Sequence, residues 1–199
     1  LVSLVGKVVA DIPELDRSVV STDHDGIAKE ARRAGLEVPF SRPKELSGDF
    51  VSDAEVLTLA LLFMEDSDQR KYDIIVMLQP TSPLRNSSQV YSVISKLLQR
   101  GFDSVITVSK TEAWAHPLKQ LVIDGENLRN YDRKGKAIIA RQQLTPTYYR
   151  NGAAYAMTRE CLIDQCTVIG RNSGAVIISE PVVNIDSLDD LEAANRLVS

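Results

Sequence analysis

Leu78-Gln79-Pro80-Thr81-Ser82-Pro83-Leu84-Arg85 interrupts one apolar run and precedes another. Ahead of it, Tyr72-Asp73-Ile74-Ile75-Val76-Met77 is a near-continuous series of β formers, the pattern of a central strand buried on both faces. Proline has no N–H to give to a sheet ladder, so the strand must end by Pro80. Behind the stretch, Val90, Val93, Ile94, Leu97 and Leu98 share one helical face, with Ser87 or Ser88 as the expected N-cap and Gly101 as the end. Strand, stiff polar loop, helix is the order in which open α/β sheets carry ligands, beyond the carboxyl ends of their strands. Taken alone, the stretch reads first as a rigid βα connection.

The flanking segments repeat the rhythm. Upstream, Ser18–Ser21 reads as a strand, with Thr22-Asp23 closing it and capping a helix that runs to Gly35. Glu37–Phe40 reads as a short strand, and Arg42–Asp49 as a polar surface loop. The helix expected over Asp53–Glu65 has a broad apolar face of Val56, Leu57, Ala60, Leu61 and Met64. Downstream, Ser104–Val108 is a further strand. This βα alternation predicts a mostly parallel sheet between helical layers. The rhythm fails from Thr111 to Arg150, where only a hairpin with a four-residue turn at Asp124–Asn127 is legible; so long an irregular stretch in an α/β domain is usually functional or an interface arm. Regularity returns with expected strands at Gly152–Met157, Ala175–Ile178 and Val182–Ile185, a short helix at Arg159–Asp164, and a last helix capped by Ser187. Leu1–Val9 reads as a short apolar remnant, and a segment is expected to precede Leu1.

Composition narrows the chemistry. The 199 residues carry a net charge of −4 and no basic stripe, so nucleic acid is not an expected partner. Two cysteines make no disulfide framework, which points to a reducing, cytoplasmic setting. With His24 and His116 as the only histidines, any metal must be a hard cation on oxygen ligands. No apolar stretch is long enough to cross a membrane.

The central octapeptide resembles the signature of the CMP-sialic acid synthetases (acylneuraminate cytidylyltransferases). Ser21-Thr22-Asp23, Arg42-Pro43-Lys44-Glu45-Leu46-Ser47-Gly48-Asp49, Arg141-Gln142-Gln143-Leu144 with Arg150-Asn151-Gly152-Ala153-Ala154-Tyr155, and Asn184-Ile185-Asp186 resemble further blocks of that family, in family order. The resemblance implies a three-layer, Rossmann-like nucleotidyltransferase fold over residues 1–199, with 111–150 inserted as a β-rich dimerisation and sugar-binding arm. It implies a homodimer that joins CTP to a nine-carbon 2-keto sugar acid with Mg²⁺, giving the CMP-sugar and pyrophosphate. Carried over residue by residue, it implies Asp186 and Asn184 at the metal, Asp186 and Arg141 in catalysis, Arg42 and Ser82 at the nucleotide, and Gln79, Lys119, Arg141 and Tyr155 at the sugar. A solvated face for Lys119 and Arg141, a core strand aromatic for Tyr155 and a helix N-terminal charge for Asp186 are the plain structural alternatives.

Two departures qualify the match. The family's opening triphosphate loop, R-x-x-S-K-G, has no counterpart here, and Lys7–Ser21 is shorter than the family's equivalent. The family's first metal carboxylate is Asn184 in this chain, one negative charge fewer. The competing expectations are the same chemistry on pseudaminic or legionaminic acid, and a silent nucleotide- or sugar-binding dimer. Eight-carbon substrates fit less well, because their enzymes carry an acidic Q-x-D-E-P central loop.

Overall fold

The two-residue period of the apolar run Ile74-Ile75-Val76-Met77 divides its side chains between two cores. The computed structural model describes residues 1–198. Its elements are α1 (Val2–Ala10), α2 (Asp25–Arg33), α3 (Asp53–Asp68), β1 (Ile74–Met77), α4 (Ser87–Arg100), β2 (Ser104–Lys110), β3 (Leu121–Asp124), β4 (Asn127–Asn130), β5 (Tyr148–Thr158), α5 (Arg159–Ile163), β6 (Ser173–Ile177) and α6 (Leu188–Val198). On one face of the sheet Ile75 and Met77 join Ile106, Val108, Tyr155 and Met157 under Ala54 and Leu61 of α3 and Leu162 of α5. On the other, Ile74 and Val76 join Val105, Ala154, Ala156 and Val176 under Val90, Val93 and Leu97 of α4, with Val8 of α1 alongside. Small alanines on the α4 side of β5 and large residues on its α3 side let both helical layers seat on one strand.

The main sheet has the order β1-β5-β2-β6. β1, β2 and β6 point the same way, as the βα rhythm requires, but β5 runs antiparallel between β1 and β2, so the sheet is mixed. The cause is the stretch from 111 to 147. The chain leaves the sheet at the carboxyl end of β2 and returns at that same edge, with Thr111 N–H donating to Thr147 O at 2.9 Å, so the next strand can only run backwards. Within that stretch β3 and β4 form a separate hairpin. Its loop is tighter than the expected four residues. Asp124 pairs with Asn127, leaving two residues between them, with Gly125 at φ +60°.

Other expectations shift by local chemistry. The N-cap of α4 is Asn86, whose carboxamide accepts from Gln89 N–H at 3.0 Å while Gln89 Oε1 accepts from Asn86 N–H; the longer Asn side chain takes the capping-box role one residue before the serines. The cap of α2 is the His24 ring, Nδ1 accepting from Gly26 N–H at 3.1 Å. Ser18–Ser21 and Glu37–Phe40 meet only through the parallel bridge Val19–Glu37. Val182–Ile185 is not a strand. The opening segment is a continuous helix through Lys7 and Val8, and it lies on α2 so closely that a Cβ at Gly6 would stand 2.5 Å from Ala34 O.

Behind the sheet, Glu65 of α3 ties three segments together. Its side chain is 4% exposed and accepts from Arg159 Nε at 2.8 Å, Arg159 Nη2 at 3.0 Å, Lys71 Nζ at 2.9 Å and Tyr72 N–H at 3.2 Å. The Arg159 fork, outweighing burial and helped by Lys71, pulls the carboxyl from 4.5 down to about 2. The ionised form is the one the fold favours. Its contribution is therefore complete above about pH 4.5 and is lost as pH falls toward 2. Glu65→Gln is expected to cost about 2 kcal/mol at neutral pH, because a buried charged acceptor gives way to a neutral amide that cannot accept from all of its donors, and to flatten the acid limb of the stability–pH curve. Urea denaturation at pH 7 and pH 3 checks both expectations.

Candidate active site at the carboxyl edge of the sheet

The site is built on a bulge. Between the pairs Ile106–Tyr155 and Val108–Arg150, β2 supplies one residue, Thr107, while β5 supplies Asn151 to Ala154. Bulges of this kind re-aim a strand, often next to active sites. Buried polar groups lock this one. Thr107 Oγ1 donates to Asn151 Oδ1 at 2.6 Å and accepts from Ala154 N–H at 3.0 Å; Asn151 Nδ2 donates to Ser109 Oγ at 3.0 Å. Within the bulge Gly152 takes a φ of +73°.

The central loop closes over this bulge. Arg85, nearly buried, donates from Nε to Ala153 O at 2.7 Å and from Nη2 to Gly152 O at 3.4 Å and to Gln79 O. Burial lowers its guanidinium to about 10, so it stays charged at neutral pH. Ser82, 1% exposed, donates to Asn151 O at 3.0 Å. The loop after β6 arrives from the third side, with Ile185 N–H donating to Thr81 O at 2.8 Å. The result is a convergence around Gly152. A Cβ placed there would lie 2.5 Å from Gln79 Oε1, 2.7 Å from Ser82 Oγ and 3.6 Å from Asn184 Oδ1. Asn184 Nδ2 donates to Asp186 Oδ2 at 3.0 Å, and both residues are exposed.

Gln79, Ser82, Asn184 and Asp186 are thus brought together, and the remaining candidates lie elsewhere. Arg141 lines a pocket of about 150 Å³ beneath the arm with Lys110, Glu112, His116 and Thr147. His116 pins that pocket's floor, Nε2–H donating to Thr145 O at 2.9 Å and Nδ1 accepting from Leu118 N–H at 3.1 Å. Thr147 Oγ1 is buried there without a hydrogen-bond partner among the described residues. Lys119 is exposed in the 3₁₀ turn that follows His116. Arg42 sits beside Asp23, Nη2 to Oδ1 3.6 Å, with its Nε buried and without a hydrogen-bond partner among the described residues. A second pocket, about 230 Å³, opens next to it between Thr22, Asp23, His24, Val38 and Phe40. Tyr155 is 4% exposed and belongs to the α3-side core. Burial pushes its phenol up, against the opposing pull of Arg150 and Gly152 N–H.

The donor set suits Mg²⁺ of the kind that takes most of its shell from water and phosphate. Asp186 offers one carboxylate and Asn184 Oδ1 one neutral oxygen, both at the surface. Among the described residues no three His, Cys, Asp or Glu side chains are grouped to hold a metal alone.

Comparison with known proteins agrees with the geometry. A model of a family described as cytidylyltransferase matches residues 1–192. Post-translational flagellin modification protein B of Campylobacter coli is 30% identical over 183 residues, 90% of this chain and 76% of that protein. Pseudaminic acid cytidylyltransferase of Campylobacter jejuni is 28% identical over 184 residues, 92% and 78% of the two chains. The solved structure of CMP:2-keto-3-deoxy-manno-octonic acid synthetase complexed with CTP superposes with a TM-score of 0.69 over 99% of this chain and 86% of the other, at 14% identity, which speaks to the fold.

Proposed function

We propose, for a chain that belongs to the cytidylyltransferase family, that the reaction transfers the cytidylyl group of CTP to a nine-carbon 2-keto sugar acid, with release of pyrophosphate. The observation that carries this reading is the convergence of Gln79, Ser82 and Asn184 on the Gly152 bulge, with Asp186 bonded to Asn184, at the edge where α/β sheets bind ligands. The attacking group is the sugar's anomeric hydroxyl, and the bond broken joins the α-phosphorus to the pyrophosphate oxygen. Such a reaction asks the protein chiefly for alignment and charge stabilisation. Asp186 is the residue that would hold Mg²⁺, with Asn184 alongside; when bound, the cation supplies positive charge to the phosphate oxygens.

Around that centre each candidate has a part. Arg42 and the pocket beside Asp23 receive the nucleoside. Ser82 serves the nucleotide side indirectly, by fixing the Asn151–Gly152 backbone. The Gln79 carboxamide faces sugar hydroxyls, and Tyr155 contributes the wall beneath them. The Arg141 guanidinium is suited to bind the sugar carboxylate, using the pocket that also holds the unclaimed Thr147 hydroxyl. Lys119 adds a second cation on the arm.

The arm also leaves Trp114, Ile123, Leu128, Tyr131 and Ile139 exposed. Apolar surface of this extent fits cover by a second copy of the chain, and the reading is of a homodimer working in the cytoplasm. Among the described residues no helix is long and apolar enough to cross a membrane.

The test is pyrophosphate release from CTP and Mg²⁺ by the full-length protein, with N-acetylneuraminic, pseudaminic and legionaminic acids supplied singly. Release with one acid, and none when UTP or ATP replaces CTP, is the expected outcome and names the sugar. No release with any acid, together with no binding of CTP, leaves the silent binding module instead.

A further inference from the structure

Residue 184 is an amide rather than a carboxylate, and this has a physical consequence at this edge of the sheet. An amide nitrogen can only donate. Asn184 Nδ2 spends a donor on Asp186 Oδ2 at 3.0 Å, and its Oδ1 stands 3.5 Å from Ser82 Oγ. The carboxamide nitrogen therefore faces the Asp186 carboxylate, while its oxygen stands over the buried serine of the central loop, whose proton goes to Asn151 O. Of the two acidic residues at the start of α6, Asp189 and Asp190, the second is engaged in the cap. Asp190 Oδ2 accepts from Asp186 N–H at 3.2 Å, Ser187 N–H at 2.9 Å and Ser187 Oγ at 2.7 Å, as the cap of α6. Asp186 is the carboxylate in contact with the Asn184 amide, and among the described residues no third acidic, His or Cys side chain groups with others to hold a metal.

We propose that Asn184 is a positioning residue rather than a cation ligand: it holds the Asp186 carboxylate toward the central loop, and it leaves the site with one protein anion, so that a divalent cation binds only together with the nucleotide. The inference rests on the cytidylyltransferase reading and deepens it. Two carboxylates would form a cation site before any nucleotide arrived, at the cost of mutual repulsion when empty. One carboxylate braced by an amide has no such repulsion and too little charge to hold a hydrated cation, until the phosphates add theirs. Hydrogen-bonded support for a ligating carboxylate is the ordinary outer-shell role of an amide.

The probe is Mn²⁺, followed by its electron paramagnetic resonance signal and by calorimetry, on full-length protein with and without a CTP analogue carrying a methylene bridge between the α- and β-phosphates. Wild type is expected to show no saturable Mn²⁺ binding alone and clear binding with the analogue. Asn184→Asp is expected to bind Mn²⁺ alone at least about tenfold more tightly than wild type, and to melt at a lower temperature in EDTA, with Mn²⁺ restoring the loss. Asn184→Ala is expected to leave metal-alone binding unchanged and to weaken analogue-dependent binding several-fold, because Asp186 is no longer braced. Should Asn184→Asp fail to fold without metal, Asn184→Ala against wild type makes the same distinction. Saturable Mn²⁺ binding by wild type without nucleotide, abolished in Asn184→Ala, overturns the inference and leaves the reaction standing. Failure of the analogue to bind any variant overturns the reaction, and the inference with it.

Discussion

Asp186→Ala is expected to reduce pyrophosphate release by about 10³-fold while the protein keeps its fold. The side chain is exposed, and its recorded contact is the Asn184 amide. Its backbone N–H is held by Asp190, which the substitution does not touch. Stability should therefore move by no more than about 0.5 kcal/mol, and the loss should fall on kcat rather than on KM for the sugar acid. Asp190→Ala is the matched control. It removes the acceptor for Asp186 N–H, Ser187 N–H and Ser187 Oγ, so it should cost about 1 kcal/mol of stability with a far smaller effect on turnover. A kcat for Asp186→Ala within tenfold of wild type would remove Asp186 from the chemistry.

Gly152→Ala is expected to lower activity by about 10²-fold and to destabilise as well. Two costs add. At φ +73° an L side chain costs about 1 kcal/mol in backbone strain. The new Cβ would also lie 2.5 Å from Gln79 Oε1 and 2.7 Å from Ser82 Oγ, closer than such atoms can stand, so the loop must shift. The serine is buried and bonded to Asn151 O, and Arg85 ties the same loop to Gly152 and Ala153, so relief comes from the loop as a whole. Gly125→Ala separates the two costs. Gly125 has φ +60° with nothing within 4 Å of its would-be Cβ, so it should show the backbone cost alone. Steady-state kinetics and thermal melts of both variants read the difference.

What could be read in advance follows from which signals are local. The β1 run, the apolar face of α4 and the two-layer core are periodic over many residues, and they fold as their periods require. The exchange of β5 into an antiparallel place was not legible. It follows from where the arm re-enters the sheet, which no window of sequence contains. Val182–Ile185 has the composition of a strand, but the Ile185 N–H is taken by Thr81 O, in the central loop. The site divides the same way. Asn151-Gly152 was legible as part of a resembling block, yet the lock on it comes from Thr107 and Ser109, more than forty residues earlier in the chain. The burial of Ser82 against Asn151 depends on the same distant bulge and was not legible in its own loop. Tyr155 sits where the core-aromatic alternative put it. The family resemblance pointed to the edge of the sheet where the proposed site lies; the distances show which of its residues meet there.

The central claim is that this chain forms a bond between the α-phosphorus of CTP and a sugar acid. Phosphorus NMR of full-length protein with CTP, Mg²⁺ and the accepted acid tests it most directly. The expected spectrum loses the triphosphate and gains one phosphodiester and one pyrophosphate in equal amounts, and only when the acid is present. Pyrophosphate appearing with CMP and no phosphodiester, or an unchanged triphosphate with every acid tried, would contradict it.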